Sequence, residues 1–112
     1  MAFSHSELIA IVREVKLFVD SIRPPQHRRH EMDIVYAITG QAIDIVRKWS
    51  VLHGDSADTN TARLIRLRYV RSVPCWYLYR VKKDGNWHLY DTTTTLNEAL
   101  IIIGRLPFSF IL

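Results

Sequence analysis

The side chains best placed to do chemistry in this chain are arginines, histidines and tyrosines, gathered in three places. The first is the run Arg23-Pro24-Pro25-Gln26-His27-Arg28-Arg29-His30. Arg23, Arg28 and Arg29 could grip an anion, because each guanidinium offers a planar fork of donors that matches phosphate or carboxylate. His27, His30 and Glu31, joined by His88, raise the question of a metal site. Their spacing is not that of a zinc site, no cysteine lies near, and neighbouring arginines repel a cation. The expectation is a solvated corner with no metal and no cofactor, the anion grip being the lesser alternative.

The second place is a strand-like run, Ala62 to Arg71, that puts Arg66 and Arg68 on one face. If it pairs with the next strand, Tyr77 and Tyr79 come beside them. Arginine next to tyrosine can hold single-stranded nucleic acid by charge and stacking. The same residue types are enriched in protein–protein interfaces. A third possibility is structural, with arginine stems covering the tyrosine rings of a monomer.

The third place tests for catalysis. Cys75 and His88 could share a sheet face, but nothing around Cys75 would activate a thiolate. Asp33 and Asp44 lie close on one predicted hairpin face, and Lys48 opposite Asp33 supplies a structural reason for that carboxylate. The glycines at 40, 54, 85 and 104 form no phosphate loop. No catalytic residue is assigned.

The elements that must position these residues are legible in the hydrophobic pattern. Ser4-x-x-Glu7 is a capping box. Leu8, Ile11, Val12, Val15, Phe18, Val19 and Ile22 then recur at helical spacing until Pro24-Pro25 stops the helix. From Met32 the period changes to two. Gly40-Gln41 makes a two-residue turn that pairs Ile38 with Ile43, Tyr36 with Ile45, Ala37 with Asp44 and Asp33 with Lys48. Residues 50–61 read as a long polar loop, the most mobile part of the chain. Strands follow at Ala62–Arg71, Cys75–Lys82 and Asn86–Asp91.

Asp84-Gly85, read as a two-residue turn, pairs Lys82 with Trp87, Arg80 with Leu89, Val81 with His88 and Tyr79 with Tyr90. One face of that hairpin then holds Trp76, Leu78, Trp87 and Leu89. The other holds Tyr77, Tyr79, Val81, His88 and Tyr90. Both faces are aromatic, so the second face needs a cover: the long loop, the C-terminal tail or another subunit. Thr95-x-x-Glu98 caps a short C-terminal helix that Gly104 ends. The apolar tail from Leu106 to Leu112 is expected to dock on the sheet or on a partner.

The totals agree with this organisation. The chain of 112 residues fits one domain, 1–112, with one core. A 48% hydrophobic share against 23% charged is that of an ordinary globular protein and not of a disordered one. No apolar run is long enough to span a membrane, and the first residues lack a signal-peptide pattern. One cysteine cannot form an internal disulfide, and the reading is a cytoplasmic protein. The net charge of +4, with eleven arginines against four lysines, admits a polyanionic partner.

Several short motifs carry a resemblance. They are Arg23-Pro24-Pro25, a basic residue at Arg28 or Arg29, Asp33, Gly40, Arg47-x-Trp49, Trp76 opening a strand, and Trp87-His88-x-Tyr90. Over nearly the whole chain this pattern resembles a small bacterial family catalogued only as a domain of unknown function. Some of its members are integron gene-cassette proteins. The chain departs from the family at Gln26, where a longer proline run is usual, at Lys48 before the tryptophan, and in its tail. The resemblance implies no known reaction. It implies that Arg23, Asp33, Trp49, Trp76, Trp87 and His88 belong to the family pattern.

The expectation is an α+β domain, a five-stranded antiparallel meander with an N-terminal and a C-terminal helix on one face. It acts as a non-enzymatic interaction module, self-associating as a homodimer. Arg66, Arg68, Tyr77, Tyr79, His88 and Tyr90 are the candidate partner-binding residues. The alternative is nucleic-acid or other polyanion binding through the same Arg/Tyr face.

Overall fold

Residues 2–106 are described by the structure, a computed structural model. The chain begins with helix α1, His5–Ile22. Ser4 caps it as the sequence predicts. The Ser4 hydroxyl accepts from the Glu7 N–H, and the Glu7 carboxylate accepts from the Ser4 N–H. The helix buries Ile11, Val15 and Val19 along one stripe and ends at Arg23, before the two prolines. A single 3-10 turn at Gln26–Arg28 leads into the sheet.

Five strands follow in chain order: β1 (Met32–Thr39), β2 (Ala42–His53), β3 (Ser56–Val70), β4 (Cys75–Val81) and β5 (Trp87–Thr93). Each pairs antiparallel with the next, so the sheet is the predicted meander. Helix α2, Leu96–Gly104, is capped by the Thr95 side chain. Both helices pack on the same face, where Val15, Val19, Ile34, Ile43, Ile45, Ile65, Leu67, Leu78 and Ile103 form a buried layer. Phe3 joins this core by stacking on Trp76 at 5.8 Å. No helix among the described residues is long and apolar enough to cross a membrane.

The first hairpin has the predicted register throughout: Ile38 opposite Ile43, Tyr36 opposite Ile45, Ala37 opposite Asp44 and Asp33 opposite Lys48. Two expectations are corrected. Residues 50–61 are not a loop. They are the distal parts of β2 and β3, joined by a two-residue turn at Gly54-Asp55. Residues 56–61 are exposed, so no hydrophobic alternation marks them as strand. The backbone ladder and β-favouring Val51, Thr59 and Thr61 suffice, and Gly54 takes the positive φ (+61°) that a tight hairpin needs.

The register of the second hairpin is the other correction. Its turn is one residue longer than the sequence suggests. The Lys82 N–H donates to the Asn86 carbonyl at 3.2 Å, and the Gly85 N–H donates to the Lys82 carbonyl at 2.9 Å. Lys83, Asp84 and Gly85 therefore form a three-residue loop, with Gly85 left-handed at φ +79°. The pairs become Val81 with Trp87, Arg80 with His88 and Tyr79 with Leu89, and a bulge leaves Tyr90 without a direct opposite. A one-residue slip moves every side chain to the other face. Trp87 and Leu89 thus join Tyr77 and Tyr79, while His88 goes to the side that bears the helices. The tail from residue 107 onward, expected to dock, lies outside the described residues.

Candidate functional site

The sheet face opposite the helices is the candidate site. It arises because β3 and β4 alternate strictly: Ile65, Leu67, Trp76 and Leu78 turn inward, which sends Arg66, Arg68, Tyr77 and Tyr79 outward. One rung runs Asp44, Arg66, Tyr79, Leu89 across four strands, and the next runs Ala42, Arg68, Tyr77, Thr92. Four of the six predicted residues are thereby brought together.

Arg66 is the centre of this face. Its Nε and Nη2 donate to the two oxygens of Asp44 at 2.8 and 2.9 Å, a bidentate pair. Its guanidinium lies over the Trp87 ring, 4.9 Å from the centroid. Asp44 is 8% exposed, and Arg63 adds a second charge 3.7 Å from it. The Asp44 carboxylate holds the Arg66 guanidinium above its ordinary pKa. Tyr77 and Tyr79 pack as a tilted ring pair at 6.4 Å. Arg68 is exposed, and no ion pair occupies it among the described residues.

His88 and Tyr90 do not belong to this site. The His88 Nε2 lies 2.9 Å from the Asp84 carboxylate. Asp84 is held below the usual carboxylate range by the Asn86 N–H and then by His88. Tyr90 receives the Arg80 guanidinium at 5.6 Å. The same register separates Cys75, on the open face, from His88. A Cys75–His88 pair is thus ruled out by the pleat. The paired-carboxylate idea meets a similar obstacle, since Asp33 and Asp44 are each engaged by an arginine.

At the proline corner each arginine has a partner. Arg23 donates from Nε and Nη2 to Asp33 at 2.9 and 2.7 Å, Arg29 donates to the Pro24 carbonyl at 3.0 Å, and Arg28 lies 3.4 Å from Glu31. The hydrogen bond from Arg23 keeps Asp33 below the usual carboxylate range. A cleft of about 370 Å³ opens here between Ile22, Pro24, Pro25 and Met32. Among the described residues, no three His, Cys, Asp or Glu side chains stand close enough together to hold a metal ion.

Sequence reasoning missed Trp87 and Asp44 as members of the face. The signal for Asp44 was available, since Asp44 and Arg66 each face outward in their strands. Trp87 was hidden by the length of the Lys83–Gly85 loop.

Several residues on which the resemblance rests have architectural roles. Arg23 and Asp33 tie the end of α1 to the start of β1. Trp76 fills the core. Trp49 lies under Arg47 at 4.8 Å, as Trp87 lies under Arg66.

No curated protein and no solved structure matches the chain. The model of one family, described as a domain of unknown function (DUF3024), matches residues 3–111. That span takes in both helices and all five strands, and the chain therefore belongs to the DUF3024 family.

Proposed function

We propose that the protein is a non-enzymatic binding module that takes single-stranded nucleic acid on its open sheet face. The observation that supports this most directly is the placement of Tyr77, Tyr79 and Trp87 beside Arg66 and Arg68, on a face that no helix among the described residues covers. Asp44 is already engaged by Arg66, so it does not repel an incoming phosphate as a free carboxylate would. Asp44 uses Nε and Nη2 of Arg66, which leaves the Nη1 donors to face a ligand. Tyrosine rings stack on bases of any identity, and each stacked base contributes about 1–3 kcal/mol. The resemblance to integron cassette proteins is compatible with a mobile-element setting.

The test is anisotropy of labelled single-stranded DNA and RNA across a salt series. Affinity is expected at low salt and should fall steeply as salt rises, because phosphate contacts release counterions. Arg68→Ala should lower both affinity and salt slope. Tyr77→Ala should lower affinity and leave the slope. Absence of binding at low salt eliminates the reading.

A protein partner on the same face is the second reading, favoured by Leu89, which is 55% exposed. The homodimer expected from the sequence is poorly served by this face. A symmetric contact centred on these residues would bring the Arg63, Arg66 and Arg68 clusters of two copies together.

A further inference from the structure

A second feature of the sheet points to a partner. β4 leaves β3 at the Ile65–Arg80 pair, yet β3 continues outward to Ser56. β2 covers one edge of that extension. Along its other edge, from Ser56 to Leu64, no strand among the described residues pairs with it. The pair flanking a two-residue turn, here His53 and Ser56, exchanges hydrogen bonds, so alternate residues point their backbone groups away from β2. These are Ala57, Thr59, Thr61 and Arg63. The stretch Ser56–Ala62 carries neither proline nor lysine, the usual guards of an open edge.

The end of this edge has a matching receptacle. Where β3 parts from β4, a trough of about 820 Å³ is walled by Arg63, Arg80, Lys82 and Lys83. Asp84 is the single acid in its lining, and it is engaged by Asn86 and His88. The tip of the β2–β3 ribbon is acidic, with Asp55 in the turn itself. A ribbon with an acidic tip and an open edge that ends in a basic trough is complementary to a second copy of itself.

We infer that the chain forms a two-fold dimer by antiparallel pairing of β3 edges, each Gly54-Asp55 turn seated in the basic trough of the other copy. Residues opposite one another in an antiparallel pair share a face, so the axis stands perpendicular to the sheet. The register that brings Asp55 against Arg63 puts the axis at Thr59. Thr59 then faces its own copy, Ala57 faces Thr61, and Asp58 faces Asn60. Threonine pairs are favourable across strands, and no like charges are opposed. Moving the axis to Thr61 would drive the second strand onto Ile65, which Arg80 already pairs. The product is a continuous sheet of ten strands with both open faces on one side. This contact uses the edge and its trough, and does not depend on nucleic-acid binding.

The experiment is light scattering from micromolar to hundreds of micromolar concentration. The expected limit is twice the 13.1 kDa chain mass. Thr59→Pro removes an outward donor without touching the β2 ladder and should give single chains whose far-UV spectrum is unchanged. Asp55→Lys should weaken association by about tenfold, since the contact occurs twice. Adding Lys83→Asp should restore it, and this swap decides the matter if Thr59→Pro fails to fold. In a Cys75→Ser background, Thr59→Cys should cross-link on mild oxidation, because opposed hydrogen-bonded residues have Cα atoms about 5.5 Å apart, within disulfide reach. A single-chain mass at all concentrations overturns the inference. So does a dimer that is indifferent to both Asp55→Lys and Thr59→Pro.

Discussion

Asp44 shows how one residue can serve stability and binding in opposite senses. Its carboxylate takes two charge-assisted hydrogen bonds from Arg66 in a half-buried setting. Asp44→Asn removes the charge and one acceptor, and should cost about 1–3 kcal/mol in denaturant unfolding. The same change leaves Arg66 with an uncompensated charge on the open face. If that face holds phosphates, Asp44→Asn should bind single-stranded nucleic acid more tightly while being less stable. A parallel loss of both would count against the proposed function. Arg23 offers a simpler case, because its fork closes on Asp33 at 2.9 and 2.7 Å. Arg23→Lys should recover little of the roughly 1–3 kcal/mol lost in Arg23→Ala, since a lysine ammonium cannot make the bidentate pair. Equal stability of the lysine variant and the parent would remove the geometric argument. The sequence exposed the charges in both pairs but not their partners. Asp33 was assigned to Lys48 because the register sets them opposite, whereas Arg23 reaches it from the end of α1, outside any strand pattern.

At the scale of the element, turns decide which side chains can act together. The Gly40-Gln41 hairpin was legible because alternation and turn chemistry agree over eight residues of β1. The β4–β5 hairpin was not, because aromatics on both faces make the pattern indifferent to a one-residue slip, and only the loop hydrogen bonds choose. The long ribbon was invisible for a related reason: exposed strands need no apolar period. Gly85 carries much of this decision. Its φ of +79° lies where L side chains are strained, although open space surrounds the position. Gly85→Ala should therefore destabilise by about 1–2 kcal/mol. Gly104 is the control. It is helical without positive φ, and among the described residues an added methyl would meet Phe18 at an ordinary 3.6 Å. Gly104→Ala should stabilise by up to about 1 kcal/mol. Thermal unfolding of the two variants should move in opposite directions, and equal shifts would show that backbone conformation is not the cause.

For the whole molecule, the question is what holds the helical layer to the sheet besides the apolar core. Ion pairs do so at both ends of α1. Arg23 joins its C-terminal end to Asp33, and Glu7 in its first turn accepts from Arg71, beyond the end of β3, at 2.8 and 3.2 Å. Arg71 also donates to the Ala2 carbonyl at 3.2 Å, which tethers the N-terminal segment near Phe3 and its stack on Trp76. The hydrogen bond from Arg71 is the largest cause that lowers the Glu7 carboxyl, from 4.5 to about 2. A carboxyl depressed by folding stabilises the native state above its unfolded pKa, and that contribution fades as pH falls toward the folded one. The Glu7 contribution should thus be complete above about pH 5 and vanish between pH 4.5 and 2. Glu7→Gln has no such proton to gain. Its stability relative to the parent should be constant near neutrality, and the two unfolding curves should converge as pH approaches 2. The Glu7 carboxylate is at the surface, so salt should shrink the difference at neutral pH as well. Curves that stay parallel down to pH 2 would mean that the first turn of α1 is held by its cap and by Phe3, without help from Arg71.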